Sequence, residues 1–137
     1  MSLVLDCSAT LAWLMEDEST DASRRLFDII ARGGAWVPAL WRLEVANSLQ
    51  MAVRRRRITA DARNASLRDL AGYKINTDPD TDSFAWTSTL QLADRFALTV
   101  YDASYLELAQ RMQLPLATLD RRLQTAAAAA GVELIGH

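Results

Sequence analysis

Hydrophobic positions in this chain follow two rhythms. Short unbroken apolar runs stop on a polar residue, and longer stretches repeat every three or four positions. The first run, Ser2-Leu3-Val4-Leu5, ends on Asp6 and passes through Cys7 and Ser8 into the helix-forming stretch 9–15. A run of that length bounded by a polar turn predicts a buried parallel strand feeding a helix. Ser19 and Thr20 offer caps for a second helix running to about Arg32, with Leu26, Phe27, Ile29 and Ile30 as its apolar side and Gly33-Gly34 as its stop. Ala35-Trp36-Val37 reads as a second strand. Pro38 then marks the turn into a long helix over about residues 40–56, where Leu43, Ala46, Leu49, Gln50 and Val53 keep helical spacing and Glu44 lies near the start.

Thr59 caps a further predicted helix over about residues 60–73, and 73–75 is a brief extended piece. The acidic segment 76–82, with Pro79 at its centre, reads as a loop whose aspartates form turns and cap a helix. One helix is predicted over 83–96. Leu98-Thr99-Val100-Tyr101 then repeats the opening pattern, an apolar run ending on Asp102 and followed by a helix over 103–112. A third occurrence, from Leu114, ends near Asp120 and leads into a helix over 121–130 that Gly131 stops, with 132–135 as a last strand. Strands alternating with helices predict an α/β fold of three layers, α/β/α, around a central, mainly parallel sheet with right-handed crossovers.

Length and composition narrow the class. A chain of 137 residues suits a single domain over 1–137. Half of it is hydrophobic and 23% charged, which excludes a disordered or fibrous chain. No stretch has the apolar length that spans a bilayer and no signal-type pattern opens the sequence, so a cytoplasmic protein without membrane contact is expected. The lone Cys7 forms no internal disulfide, and one histidine, at position 137, leaves neither a zinc cluster nor a histidine general base. A net charge of −2 excludes nucleic-acid binding by global basicity. Arg54, Arg55, Arg56 and Arg57 are nevertheless consecutive. They suit bidentate phosphate contacts with RNA, or equally a solvated helix end whose dipole favours cations.

The strand ends carry the candidate chemistry. In a parallel sheet, strand ends of one polarity share an edge, and ligands bind in the crevice there. On this reading Asp6, Asp102 and Asp120 converge, and Glu44 joins them from its helix. Any one of the aspartates alone is most often a helix cap. Brought together they repel, by roughly 4 kcal/mol for two charges about 4 Å apart at an effective dielectric of about 20. Either some stay protonated or a divalent cation sits among them. Hard oxygen donors suit Mg²⁺ or Mn²⁺ and disfavour zinc. Such an ion acidifies a bound water and balances charge on a phosphate, so phosphodiester hydrolysis fits the pattern.

The segments Leu5-Asp6-Cys7-Ser8-Ala9, Glu44-Val45-Ala46-Asn47-Ser48-Leu49, Tyr101-Asp102-Ala103-Ser104-Tyr105-Leu106-Glu107-Leu108-Ala109 and Leu116-Ala117-Thr118-Leu119-Asp120 occur in this order. Together they resemble the PIN-domain nucleases, and more narrowly the VapC toxins of bacterial toxin-antitoxin pairs, over nearly the whole chain. The resemblance implies a metal-dependent endoribonuclease. It implies Asp6, Glu44 and Asp102 as core ligands of Mg²⁺ or Mn²⁺, and Asp120 as a fourth acidic residue that binds a second ion or acts through water. Ser8 and Thr118 would steer those carboxylates, or serve only as cap and turn hydroxyls. Asn47, one turn after Glu44, would orient it or touch substrate, or simply pack between helices. The implied partners are RNA, a VapB-type antitoxin that blocks the acidic site, and a second copy in a homodimer. Trp13, Met15, Trp41 and Met51 would supply part of a partner surface or, as helical spacing favours, core.

Other classes fit less well. A receiver-like Mg²⁺-binding signalling module expects adjacent acidic residues after the first strand and a lysine after the last strands, whereas Asp6 is followed by Cys7 and the only lysine is Lys74. A haloacid-dehalogenase-type phosphatase expects an aspartate at position 8, which is Ser8. No Gly-rich phosphate loop occurs. A PIN-like binding protein with little catalysis stays open.

Overall fold

A computed structural model describes residues 1–136. Its elements are β1 (Val4–Leu5), α1 (Cys7–Leu14), a 3₁₀ turn (Glu16–Glu18), α2 (Asp21–Gly33), β2 (Ala35–Val37), α3 (Trp41–Arg54), α4 (Ala60–Ala71), β3 (Ile75–Thr77), α5 (Thr81–Phe84), α6 (Ser88–Phe96), α7 (Val100–Met112), β4 (Leu116–Ala117) and α8 (Arg121–Ala129). The strands form one sheet in the order β3-β2-β1-β4. Every pairing is parallel, and Val4 faces Trp36 on one side and Leu116 on the other. Helices flank the sheet in the three-layer α/β/α arrangement that the alternating pattern predicts.

The unbroken apolar run at the start of the chain has a simple cause. β1 is central, and Leu3, Val4 and Leu5 have no solvent exposure, so neither face can be polar. The second helix also follows its sequence signals. The Thr20 and Ser23 side chains satisfy each other's backbone amides in a capping box, and Leu26, Phe27 and Ile30 face the core. Gly34 ends α2 at φ +74°, with its amide on the Ile30 carbonyl.

Several expectations are corrected. The buried stripe of α3 is Trp41, Val45, Leu49 and Ala52, whereas Leu43 is 76% exposed. Trp41 sets that rotation by burying its ring and donating its indole N–H to Thr10 Oγ1 at 3.1 Å. Met15 is likewise core, Trp13 stacks on Phe27 at 4.2 Å between ring centroids, and Met51 is half-buried. No strand occupies 98–101. Thr99 Oγ1 instead accepts the Asp102 amide at 3.1 Å and caps α7, and Tyr101 is 64% exposed. A hydroxyl inside an apolar run here starts a helix.

The helix expected over 83–96 is two, α5 and α6, interrupted at residues 85–87. The acidic loop begins later than expected, since Asn76 and Thr77 belong to β3. The strand expected at 132–135 is reduced to one parallel bridge between Leu116 and Leu134. Among the described residues no helix is long and apolar enough to cross a membrane.

Candidate active site

β1 delivers Asp6 to the carboxyl edge of the sheet, where it caps α1 and is 4% exposed. Its Oδ1 accepts the Ala9 amide at 2.9 Å and the Ser8 hydroxyl at 2.7 Å, and its Oδ2 accepts the Thr118 hydroxyl. Thr118 reaches it because β4 pairs with β1, a register continued by the Asp6 amide on the Ala117 carbonyl at 3.1 Å. Burial pushes the Asp6 carboxyl up to about 6, the three donors pull it down and the charge of Asp102 pushes it further up.

Glu44 sits in the first turn of α3, half-buried, and its Oε1 accepts the hydroxyl of Tyr105 from α7. Burial raises its carboxyl, Tyr105 opposes the rise and Asp102 adds to it. Asp102, in the first turn of α7, is raised by burial and then by Asp120. Asp120 caps α8, accepting the Leu123 amide on Oδ1 at 3.1 Å, while its own amide donates to Thr118 Oγ1 at 3.0 Å.

Four helices thus begin around one edge, each bringing a carboxylate, and Asp102 is the member whose charge reaches Asp6 and Glu44 and which feels Asp120. Helix amino termini favour anions, by about 0.3–1 kcal/mol each at exposed sites. That offsets only part of the mutual repulsion. Among the described residues no arginine or lysine forms an ion pair with any of the four.

The donor set suits a divalent cation in hardness and charge, being all oxygen and short of positive charge. Among the described residues no three His, Cys, Asp or Glu side chains form a ready-made metal cage. Mg²⁺ does not require one, since it commonly keeps several waters and takes one or two carboxylates. The residues therefore fit an ion held largely through water. Cys7 is adjacent but inert as a nucleophile: burial first, then Glu44 and Asp6, hold its thiol up at about 11 against a weak contact with Ser48 Oγ at 3.7 Å.

The remaining candidates fall elsewhere. Asn47 is exposed and makes no hydrogen bond to Glu44. The arginine run lies at the opposite end of α3, roughly 15 Å along the axis from Glu44 at 1.5 Å per residue. Arg57 pairs with Asp17 at 2.9 Å and Glu18 at 2.8 Å, while Arg54, Arg55 and Arg56 are exposed. Tyr105 is the site residue that the sequence reading passed over. Its signal was its place three residues after Asp102, on the same helix face.

Comparison with known proteins follows the same outline. The family model described as PIN domain matches residues 3–129. Ribonuclease VapC3 of Pyrobaculum aerophilum is 31% identical over 129 residues, covering 90% of this chain and 92% of that protein. The crystal structure of PAE2754 from Pyrobaculum aerophilum is similar at a TM-score of 0.67 and 29% identity, covering 92% of this chain and 87% of that one. FitAcB from Neisseria gonorrhoeae has a TM-score of 0.67 at 15% identity, covering 98% and 96%, a likeness of fold alone.

Proposed function

The chain belongs to the PIN domain family, and from that membership we propose that it is a Mg²⁺- or Mn²⁺-dependent endoribonuclease, the toxin of a toxin-antitoxin pair. The observation that carries this reading is the group of four carboxylates at the starts of four helices, none of them in an ion pair with an arginine or lysine among the described residues. The similarity to a ribonuclease supports RNA as the substrate.

Asp6, Glu44 and Asp102 would hold the ion, with Asp120 as a fourth acidic group. The bound ion supplies charge balance at the phosphate and acidifies a water. The chain's own groups set the geometry. Ser8 and Thr118 lock both oxygens of Asp6, and Tyr105 holds Oε1 of Glu44 and leaves Oε2 without a partner among the described residues. In hydrolysis a bond would form from the water oxygen to phosphorus, the bond to the leaving ribose oxygen would break, a carboxylate of the cluster would take the water's proton, and the leaving oxygen would take a proton from solvent water.

The partners follow from the same reading. An acidic site short of positive charge suits blockade by an arginine of a VapB-type antitoxin, and a homodimer would bring two such sites together. The reaction belongs in the cytoplasm. One observation favours the weaker reading, a PIN-like binding module with little catalysis: the four carboxylates form no ready-made cage.

Purified protein free of partner, incubated with total bacterial RNA and Mn²⁺ or Mg²⁺, is expected to give discrete cuts. These vanish with chelator and in a folded Asp102→Asn variant. A folded wild-type protein that cuts nothing with either metal would sink the nuclease reading in favour of the binding module.

A further inference from the structure

Two of the four acidic helix starts adjoin an open groove of about 470 Å³. One wall is α8, from Arg121 and Arg122 to Ala129, about 12 Å along the axis at 1.5 Å per residue. The other is the end of α6, where Phe96 and Ala97 line the groove. Arg121 directly follows Asp120, and the chain passes from Ala97 to Thr99, the cap of α7, and so into the turn that holds Asp102. Both walls therefore continue into segments that carry carboxylates of the site.

Three arginines give this groove its character. Arg95, Arg121 and Arg122 are exposed, and among the described residues none of them forms an ion pair, whereas Arg24, Arg57 and Arg111 each hold a carboxylate. Arg121 and Arg122 stand in the first turn of α8, where the helix dipole disfavours cations, so the helix itself does not account for them. The Arg95 guanidinium lies 4.7 Å from the centroid of the Phe96 ring. Attraction to the ring face holds it there, so less side-chain freedom is lost when an anion binds. A guanidinium offers paired N–H donors that match the oxygens of a phosphate.

We propose that this groove holds the sugar-phosphate backbone of a single RNA strand to one side of the cut, with Arg95, Arg121 and Arg122 pairing with its phosphates. The proposal rests on the ribonuclease reading for the identity of the polyanion. That reading creates a need that the carboxylates cannot meet: RNA carries a charge at every nucleotide, the chain itself is net negative, and an ion at the acidic centre balances only the phosphate it touches. Cations beside Asp102 and Asp120 offset the repulsion of the flanking phosphates. Such contacts fix the strand's position and read no sequence.

The test measures binding of a short mixed-sequence single-stranded RNA, labelled with fluorescein, by anisotropy in chelator between about 50 and 300 mM salt, where cleavage does not intervene. Arg121→Gln combined with Arg122→Gln is expected to flatten the slope of log affinity against log salt by about 1.4, roughly 25-fold in affinity at about 0.1 M salt, and adding Arg95→Gln by about 0.7 more. Arg32→Gln combined with Arg68→Gln removes the same charge from the last turns of α2 and α4, which feed β2 and β3 at the opposite edge of the sheet, and is expected to leave the slope unchanged. Glutamine is a good helix former and these side chains are exposed, so melting temperatures are expected to match wild type. An unchanged slope without Arg121 and Arg122, or an equal loss in the control pair, would overturn the proposal. So would a wild-type dimer that the Arg121 and Arg122 substitutions dissociate while RNA binding persists, which would assign the groove to a second copy.

Binding and cleavage together separate failure here from failure of the nuclease reading. With metal present, the Arg121 and Arg122 substitutions are expected to raise KM by about the same factor as the affinity falls and to leave kcat nearly unchanged, the pattern of lost uniform binding. A flattened slope in a protein that cuts no RNA would support the groove while removing the nuclease. An unchanged slope in a protein that does cut would overturn the groove alone.

Discussion

One helix, α7, contributes a carboxylate to each of two acidic groups with opposite electrostatics. Toward its end Arg111 donates to Asp78 Oδ2 at 2.6 Å and to Glu107 Oε2 at 2.8 Å, and its guanidinium lies 4.5 Å from the Phe84 ring centroid. Burial by itself would raise the Asp78 carboxyl, but Arg111 and the Asp80 amide overcome it and hold that carboxyl below the usual range. At the start of the same helix no arginine among the described residues pairs with Asp102, and burial and then Asp120 raise it. Among the described residues, the chain thus pairs the buried Asp78 and Glu107 with an arginine and leaves the buried or half-buried acids where four helices begin without one. On the proposed function, that deficit of positive charge is where a cation from outside would sit.

The comparison breaks first at Arg111. Arg111→Met removes the charge that compensates Asp78 and Glu107, and stability is expected to fall by about 3–5 kcal/mol, read from the midpoint of urea unfolding. An unchanged midpoint would show the two acid groups to be equivalent after all. The opposite substitution lies at the other end of the helix. Asp6→Asn keeps an acceptor for Ala9 and Ser8 while removing a raised, buried charge, and metal-free protein at pH 7.5 is expected to gain roughly 1–3 kcal/mol while losing RNA cleavage. A loss of stability in that variant would place Asp6 among the structural acids.

Acid and base limits sharpen the contrast further. The raised Asp6 carboxyl favours its protonated form in the fold, so its contribution is complete below about 3.8 and is lost as pH rises through about 6. Asp78 runs the other way: its contribution is present above 3.8 and is lost as pH falls through its lowered folded value. Urea midpoints in chelator are therefore expected to decline between about pH 4 and 6 in wild type, and much less in Asp6→Asn. Adding Mn²⁺ or Mg²⁺ at pH 7.5 is expected to raise the melting temperature by a few degrees in wild type and not in Asp102→Asn, since a ligand stabilises only the state that binds it. The smallest effect belongs to the arginine run. Changing Arg54, Arg55 and Arg56 to Gln is expected to flatten the salt dependence of RNA binding, by a slope of at most about 2 if all three meet phosphates. An unchanged slope returns them to a solvated helix end.

Much of the fold was legible where local rules and burial agree. β1 is apolar throughout because it is covered on both faces, and Thr20, Thr59 and Asp120 cap the helices that their positions foretell. Legibility failed where one residue type serves two ends. The run 98–101 has the composition of a strand, yet Thr99 accepts the Asp102 amide and turns the segment into a helix start. The placement of Asp102 near Asp6 and Glu44 survives that error, because a helix beginning at the sheet edge delivers a carboxylate there as well as a strand end does.

The sequence by itself determined the alternation of strands and helices, the order of four acidic segments and their likeness to one nuclease family, because apolar period, caps and short motifs are local properties of the chain. Only the tertiary structure decided which acids are compensated. Asp78 and Arg111 are 33 residues apart, Glu44 and Tyr105 are 61 apart, and Asp6 and Thr118 are 112 apart. No local pattern records such pairs. They follow from the parallel sheet and from the helices packed on it, which set side chains distant in sequence within hydrogen-bonding reach, and from the desolvation that gives each pairing, or its absence, its energetic weight.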